Sequence, residues 1–244
     1  MKRRRFLTIP ASASALALAG QLVADAAAGG RQTRADFDIR WTESSPGASP
    51  VLAIDPRTAA LLVLDYQTAW IETLTDTDAL LDRAAQAVAV ARDHGMQVAY
   101  ARVAFTPADY AAVPAGNLIF TALSSRPDAL DDNAPRTAID PRVAPAPGDK
   151  VVRKTRVGTF ARTDLDEWLR ALRIDTLILA GISTSGVVLS TVCDGADRDY
   201  RLVVLSDACA DQDPEIHNLL IHKVFPQRAQ VISVAQLPDV LLAI

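Results

Sequence analysis

The sequence predicts an α/β domain built on a doubly wound, mostly parallel six-stranded sheet with helices on both faces. Three observations predict it. Six strand-like runs recur along the chain: AALLVLD (59–65), MQVAYARVAF (96–105), KVVRK (150–154), DTLILAG (175–181), RLVVLSD (201–207) and QVISV (230–234). Segments of helical period separate them, and strand, helix, strand in that order is the pattern of a parallel crossover. The first run is apolar without alternation, as expected of a strand covered on both faces.

Each element has its own local reason. From Thr77 to His94, Leu80, Leu81, Ala84, Ala85 and Val88 recur at spacings of three and four, and Gly95 follows as a left-handed cap, so this is an amphipathic helix. Residues 106 to 149 hold half of the prolines and show no period, and they are too long for an idle connection, so they are expected to shape a pocket. Thr163 with Asp166 resembles a capping box ahead of Leu165, Trp168, Leu169 and Leu172. Helices are expected over about 185–199 and 214–223, with a short one at the end of the chain.

With 244 residues, half of them hydrophobic, the chain can bury a substantial core, and one domain plus an N-terminal extension is the simplest organisation. The formal charge of −4, with acids and bases interspersed, gives no electrostatic reason to expect nucleic acid as a partner. A small neutral or anionic molecule fits better.

At the N-terminus, Arg3, Arg4, Arg5, Phe6 and Leu7 form a twin-arginine pattern before an alanine-rich run, which reads as an export signal over residues 1–26. Ala24 and Ala26 offer an A-x-A cleavage site, and the run is too short and too poor in Leu and Ile to span a bilayer. A periplasmic or secreted protein without membrane insertion after processing is expected, the alternative being a cytoplasmic one whose start is misassigned. Residues 27–57, rich in Ala, Gly, Ser and Pro, read as a linker or arm, and 58–244 as the domain.

Ligands in such sheets bind beyond the carboxyl ends of the strands, and the candidate residues fall there. Asp65 closes an apolar strand, where an ionised carboxylate is costly without a partner or a function. Lys154 ends the third strand in the equivalent way. After the fourth strand comes GISTSGVVLST (181–191), a glycine turn into a helix whose outward amides could receive an anion or oxyanion, which brings in Ser183, Thr184, Ser185 and Gly186. Gln67, two residues beyond Asp65, shares its face in an extended chain and either positions substrate or ties down a loop.

The three histidines, His94, His217 and His222, are scattered without companions at ligand spacing, and the two cysteines, Cys193 and Cys209, match no zinc pattern, so neither a metal nor another cofactor is expected. Both cysteines read as buried small hydrophobes. Phe105, Phe120, Phe160 and Trp70 read as core packing before pocket lining.

LLVLDYQ, the lysine of VVRKTRVGTF, LAGISTSGVVLST and VVLSDACAD, in this order and spacing, resemble the isochorismatase-like or cysteine hydrolase family over about residues 58–235. That resemblance implies a hydrolase of small organic molecules, commonly an oligomer, with Asp65 and Lys154 in its catalytic group. It also sets Val187 at the position of the family's nucleophilic cysteine. In family amidases the thiolate attacks a carbonyl while turn amides, here those of Ser183 and Val187, hold the oxyanion. Members without the cysteine, the isochorismatases proper, hydrolyse a vinyl ether by acid–base chemistry, which is the expectation for this chain. The alternatives are an amidase with a displaced nucleophile and a catalytically silent binding protein.

Overall fold

The computed structural model describes residues 53–124 and 129–242. The export signal, its cleavage site and the arm up to residue 52 lie outside the described residues. From Ala53 onward the arm packs on the domain: Ile54 is fully buried, donates its N–H to Val240 O at 2.8 Å and accepts from Leu242 N at 2.8 Å.

Six strands form one sheet in the order β3-β2-β1-β4-β5-β6. They are β1 (Ala59–Leu64), β2 (Gln97–Val103), β3 (Lys150–Lys154), β4 (Thr176–Ile182), β5 (Arg201–Ala210) and β6 (Gln230–Ile232), and every pairing is parallel. The winding reverses between β1 and β4, which makes their carboxyl ends the topological switch point, where such sheets hold ligands.

Every residue of β1 is buried because the strand faces two cores. Ala59, Leu61 and Val63 point to one core and Ala60, Leu62 and Leu64 to the other, following the alternation of an extended chain. The first core is closed by helix α2 (Thr77–Asp93), which follows the short α1 (Thr68–Ile71) and inserts Leu80, Leu81, Ala84, Ala87, Val88 and Ala91. Gly95 takes the expected left-handed φ of 62°. On the other face Leu165, Leu169 and Val192 pack against the sheet, each such burial stabilising by roughly 1.5–3 kcal/mol.

The proline-rich segment between β2 and β3 contains more structure than its lack of period suggested. It forms α3 (Pro107–Ala111) and α4 (Leu118–Ser124), and Thr106 with Asp109 makes a capping box at the start of α3. Five- and seven-residue helices are too short to show a period. Two 3₁₀ turns, Pro135–Thr137 and Pro141–Val143, complete the described part of the segment.

Two helix starts differ from expectation. The Thr163–Asp166 box does not form before α5 (Leu165–Ala171): the cap position is Asp164, and Asp166 instead pairs with Arg198 at 2.9 Å and accepts from Tyr200 Oη at 2.8 Å. The helix expected from residue 185 begins as a π-helical turn, Thr184–Val188, and becomes regular as α6 (Leu189–Asp197). Among the described residues no helix is long and apolar enough to cross a membrane.

Candidate active site

Asp65 leaves β1 with a left-handed φ of 57°, a conformation that short polar residues tolerate best. The turn directs its carboxylate across the end of the sheet. Lys154 comes from β3, two strands away in the order, and its Nζ lies 2.7 Å from Asp65 Oδ2. Both are buried, at 4% and 2% exposure. The ammonium also donates to Val157 O at 2.9 Å and Arg156 O at 3.2 Å, so its three N–H groups are all matched inside the protein.

That saturation separates two roles. An ammonium whose donors are all engaged tunes and holds Asp65; it has no N–H left for a substrate carboxylate. Burial raises the Asp65 carboxyl above the usual carboxylate range, with the neighbouring ammonium opposing the rise. Asp65 Oδ1 is buried and has no hydrogen-bond partner among the described residues.

Both residues border a cavity of about 530 Å³. Leu74, Val103, Phe120 and Leu130 give it an apolar wall, while Arg156, Ser183, Ser185, Ser190 and Asp211 supply polar groups. Val187 lines it too, 2% exposed. No histidine is among the lining residues.

The turn after β4 is built by close approach. A Cβ on Gly181 would lie 2.8 Å from Leu64 Cβ and 3.0 Å from Leu64 O, so only glycine lets β1 and β4 come together here. The Ile182–Ser183 peptide is cis. Ser183 O accepts from the amides of both Gly186 and Val188 at 3.2 Å, and the Ser185 amide donates to Asp211 Oδ2 at 2.7 Å.

These contacts correct three expectations. The Ser185 and Gly186 amides are not open donors, since a carboxylate of the protein and the Ser183 carbonyl already take them. Thr184 is fully buried and faces away from the cavity, with Oγ1 2.8 Å from His217 Nδ1. Gln67 does not touch substrate space: fully buried, it donates to Val103 O (2.9 Å) and Thr137 O (2.7 Å) and accepts from Val103 N (2.8 Å). It pins the end of β1 to β2 and to the proline-rich segment, the structural one of its two readings.

Neither cysteine reaches the site. Cys193 is exposed on α6, against the expectation of burial, and does not line the cavity. Cys209 is buried in β5, where burial pushes its thiol up to about 12. Phe105 and Phe160 are core residues, whereas Phe120 and Trp70 line the cavity. Among the described residues no group of three His, Cys, Asp or Glu could hold a metal.

Arg156 and Asp211 went unnoticed in the sequence. Asp211 follows directly on the carboxyl end of β5, the kind of position that singled out Asp65, but it lies beyond a run that turns polar at Ser206. Arg156 follows Lys154 by two residues, a spacing with no signature outside a regular strand.

A parallel sheet of this order, with a buried carboxylate–ammonium pair beside the switch point, defines a doubly wound α/β scaffold with a pocket for a small molecule. Residues 59–236 match the model of the isochorismatase domain, and the chain belongs to the isochorismatase family of hydrolases. It is 32% identical over 191 residues to the ureidoacrylate amidohydrolase of Methylobacterium radiotolerans, covering 70% of this chain and 74% of that one. It is 26% identical over 182 residues to the maleamate amidohydrolase of Pseudomonas putida, covering 72% and 84%. The crystal structure of a cysteine hydrolase from Pseudomonas syringae pv. phaseolicola shares the fold, with a TM-score of 0.70 at 23% identity over 80% of this chain and 98% of that one.

Proposed function

We propose that the chain hydrolyses a small organic molecule by acid–base chemistry through Asp65, tuned by Lys154, with no thiol intermediate. The reading rests on Asp65, which lines the cavity with one buried carboxyl oxygen, Oδ1, free of hydrogen-bond partners among the described residues, and whose carboxyl pKa burial raises above its ordinary value against the pull of Lys154. Such an oxygen is placed to deliver a proton and take one back.

An enol ether would react in three steps. The Asp65 carboxylic acid protonates the terminal enol carbon, leaving a cation stabilised by the ether oxygen. Water adds to that cationic carbon and loses a proton to the Asp65 carboxylate. The resulting hemiketal collapses to a carbonyl compound and an alcohol, and Asp65 ends protonated as it began. Lys154 keeps the carboxyl oriented through Oδ2, and the apolar wall limits competing water.

Val187 supports this reading over thiol-dependent amide hydrolysis. A valine side chain occupies the cavity wall where the family resemblance sets a nucleophile, and the chain's two cysteines lie elsewhere. The test is turnover of a panel of enol ethers, esters and amides by the wild type, Asp65→Asn and Cys193→Ala. Loss of about 10²–10⁴ in rate with Asp65→Asn, and none with Cys193→Ala, is expected. Unchanged turnover by Asp65→Asn on any substrate found would sink the proposal.

A further inference from the structure

Trp70 stands on α1 and borders the cavity, yet its indole Nε1 is buried with no hydrogen-bond partner among the described residues. Leaving such a donor unmatched costs roughly 1–3 kcal/mol, and a phenylalanine would supply the apolar contact without that cost. Trp70 packs on the cluster of Phe105, Phe120 and Leu130. Arg156 reaches the same wall, its guanidinium 5.4 Å from the centroid of the Phe120 ring. Among the described residues Arg156 has no ion pair; its one hydrogen bond runs to the neighbouring Thr155 carbonyl. Trp70, with an unmatched neutral donor, and Arg156, without an ion pair, thus both border the cavity beside Phe120.

The cavity's other cation and one amide of the turn are committed. Lys154 has given its three N–H groups to Asp65, Arg156 O and Val157 O, and the Ser185 amide is held by Asp211. An anionic group entering near the turn would meet the Asp211 carboxylate. At the Trp70 wall it would meet an N–H and a guanidinium, which together suit a carboxylate with two oxygens to satisfy.

We propose that Trp70 and Arg156 form a carboxylate-binding subsite, so that the substrate is a small organic acid whose hydrolysed bond faces Asp65 while its carboxylate faces this wall. This deepens the functional reading above and rests on it for the reacting end only. Trp70 and Arg156 are assigned here to substrate recognition. Burial, with Arg162 nearby, holds the Arg156 pKa below its ordinary value, and the Asp109 carboxylate opposes this only in part.

The test uses maleate as probe and maleamide as its neutral counterpart of the same heavy-atom skeleton. The chain has three tryptophans, so a ¹⁵N–¹H correlation spectrum of the full-length protein contains three indole signals. Single phenylalanine replacements at Trp41, Trp70 and Trp168 assign them, and any two identify the third. Titrating maleate is expected to move the Trp70 indole proton downfield, with maleamide binding at least about tenfold more weakly, the size of one lost charge-assisted hydrogen bond.

Arg156→Gln is expected to raise the maleate Kd by at least about tenfold. Trp70→Phe is expected to raise it severalfold without lowering the thermal midpoint, because the deleted N–H stabilises nothing in the empty protein. A purely structural tryptophan would give the reverse. Maleate binding that leaves the Trp70 signal in place, equal affinity for maleamide, or no maleate binding up to about 50 mM, an affinity worth less than 2 kcal/mol, would each overturn the proposal. Because maleate is not turned over, these results stand apart from the Asp65→Asn assay, which alone decides the acid–base reading.

Discussion

Lys154 and Asp65 touch at 2.7 Å although β2 lies between their strands. The contact exists because Asp65 turns out of β1 with a positive φ and the lysine stem is long enough to pass the end of β2. Breaking a buried pair by removing one partner leaves the other charge without compensation, at a cost of about 3–5 kcal/mol. Lys154→Met is therefore expected to lower unfolding stability by that amount in urea denaturation at pH values above the Asp65 pKa, where the carboxylate is charged, and by less below it. The double variant Asp65→Asn/Lys154→Met should recover a large part of it, since no lone charge then remains buried.

The pH dependence follows from the raised Asp65 carboxyl. The folded protein holds this proton more tightly than the unfolded chain does, so the contribution to stability is full below the ordinary carboxylate pKa of 3.8 and is lost as pH rises through the higher folded value. The acid form is the one that donates a proton to substrate. Accordingly kcat/KM of the wild type is expected to fall as pH rises through the Asp65 pKa, and that limb should vanish from the residual activity of Asp65→Asn.

Cysteine chemistry gives a test needing no substrate. Cys193 is exposed, whereas Cys209 is buried with its thiol pushed up to about 12. Iodoacetamide at pH 8 is expected to add one group to the native protein, at Cys193, and two after unfolding, as read by mass spectrometry. In a Cys193→Ser background, Val187→Cys should restore one native adduct, because residue 187 lines the cavity.

Gly181 tests the closeness of β1 and β4. Gly181→Ala would place a methyl 2.8 Å from Leu64 Cβ and 3.0 Å from Leu64 O, a contact that backbone must relieve. A loss of about 1–3 kcal/mol is expected by thermal or urea unfolding. Gly116→Ala, where nothing lies within 4 Å of the added Cβ, should change stability by less than about 0.5 kcal/mol.

Much of the scaffold was legible because a doubly wound sheet repeats its signal: buried runs such as 59–64 and 176–182 cannot be confused with surface segments, and α2 spans enough turns to show its period. Asp65 and Lys154 were legible for the same reason, as charged residues ending otherwise strand-like runs. Side-chain direction was not. Thr184 and Ser185 are adjacent, yet the first faces His217 and the second the cavity, a split set by the π-helical turn. Gln67 shares a parity with Asp65 that would align them in an extended chain, but the left-handed Asp65 breaks that alternation. Arg156 and Trp70 gained their place through tertiary folding of segments without period.

Asp211 already sits at the mouth of the turn that follows β4, its Oδ2 on the Ser185 amide. In doubly wound sheets the first amides after a crossover strand commonly receive an anion, and here a carboxylate of the protein itself, of the same sign as phosphate, already takes that donor. The protein should thus be indifferent to phosphate and sulfate buffers at that locus, and freeing it would take only the removal of one carboxylate. Asp211→Asn would then mark the shortest mutational route from this hydrolase to an oxyanion receptor.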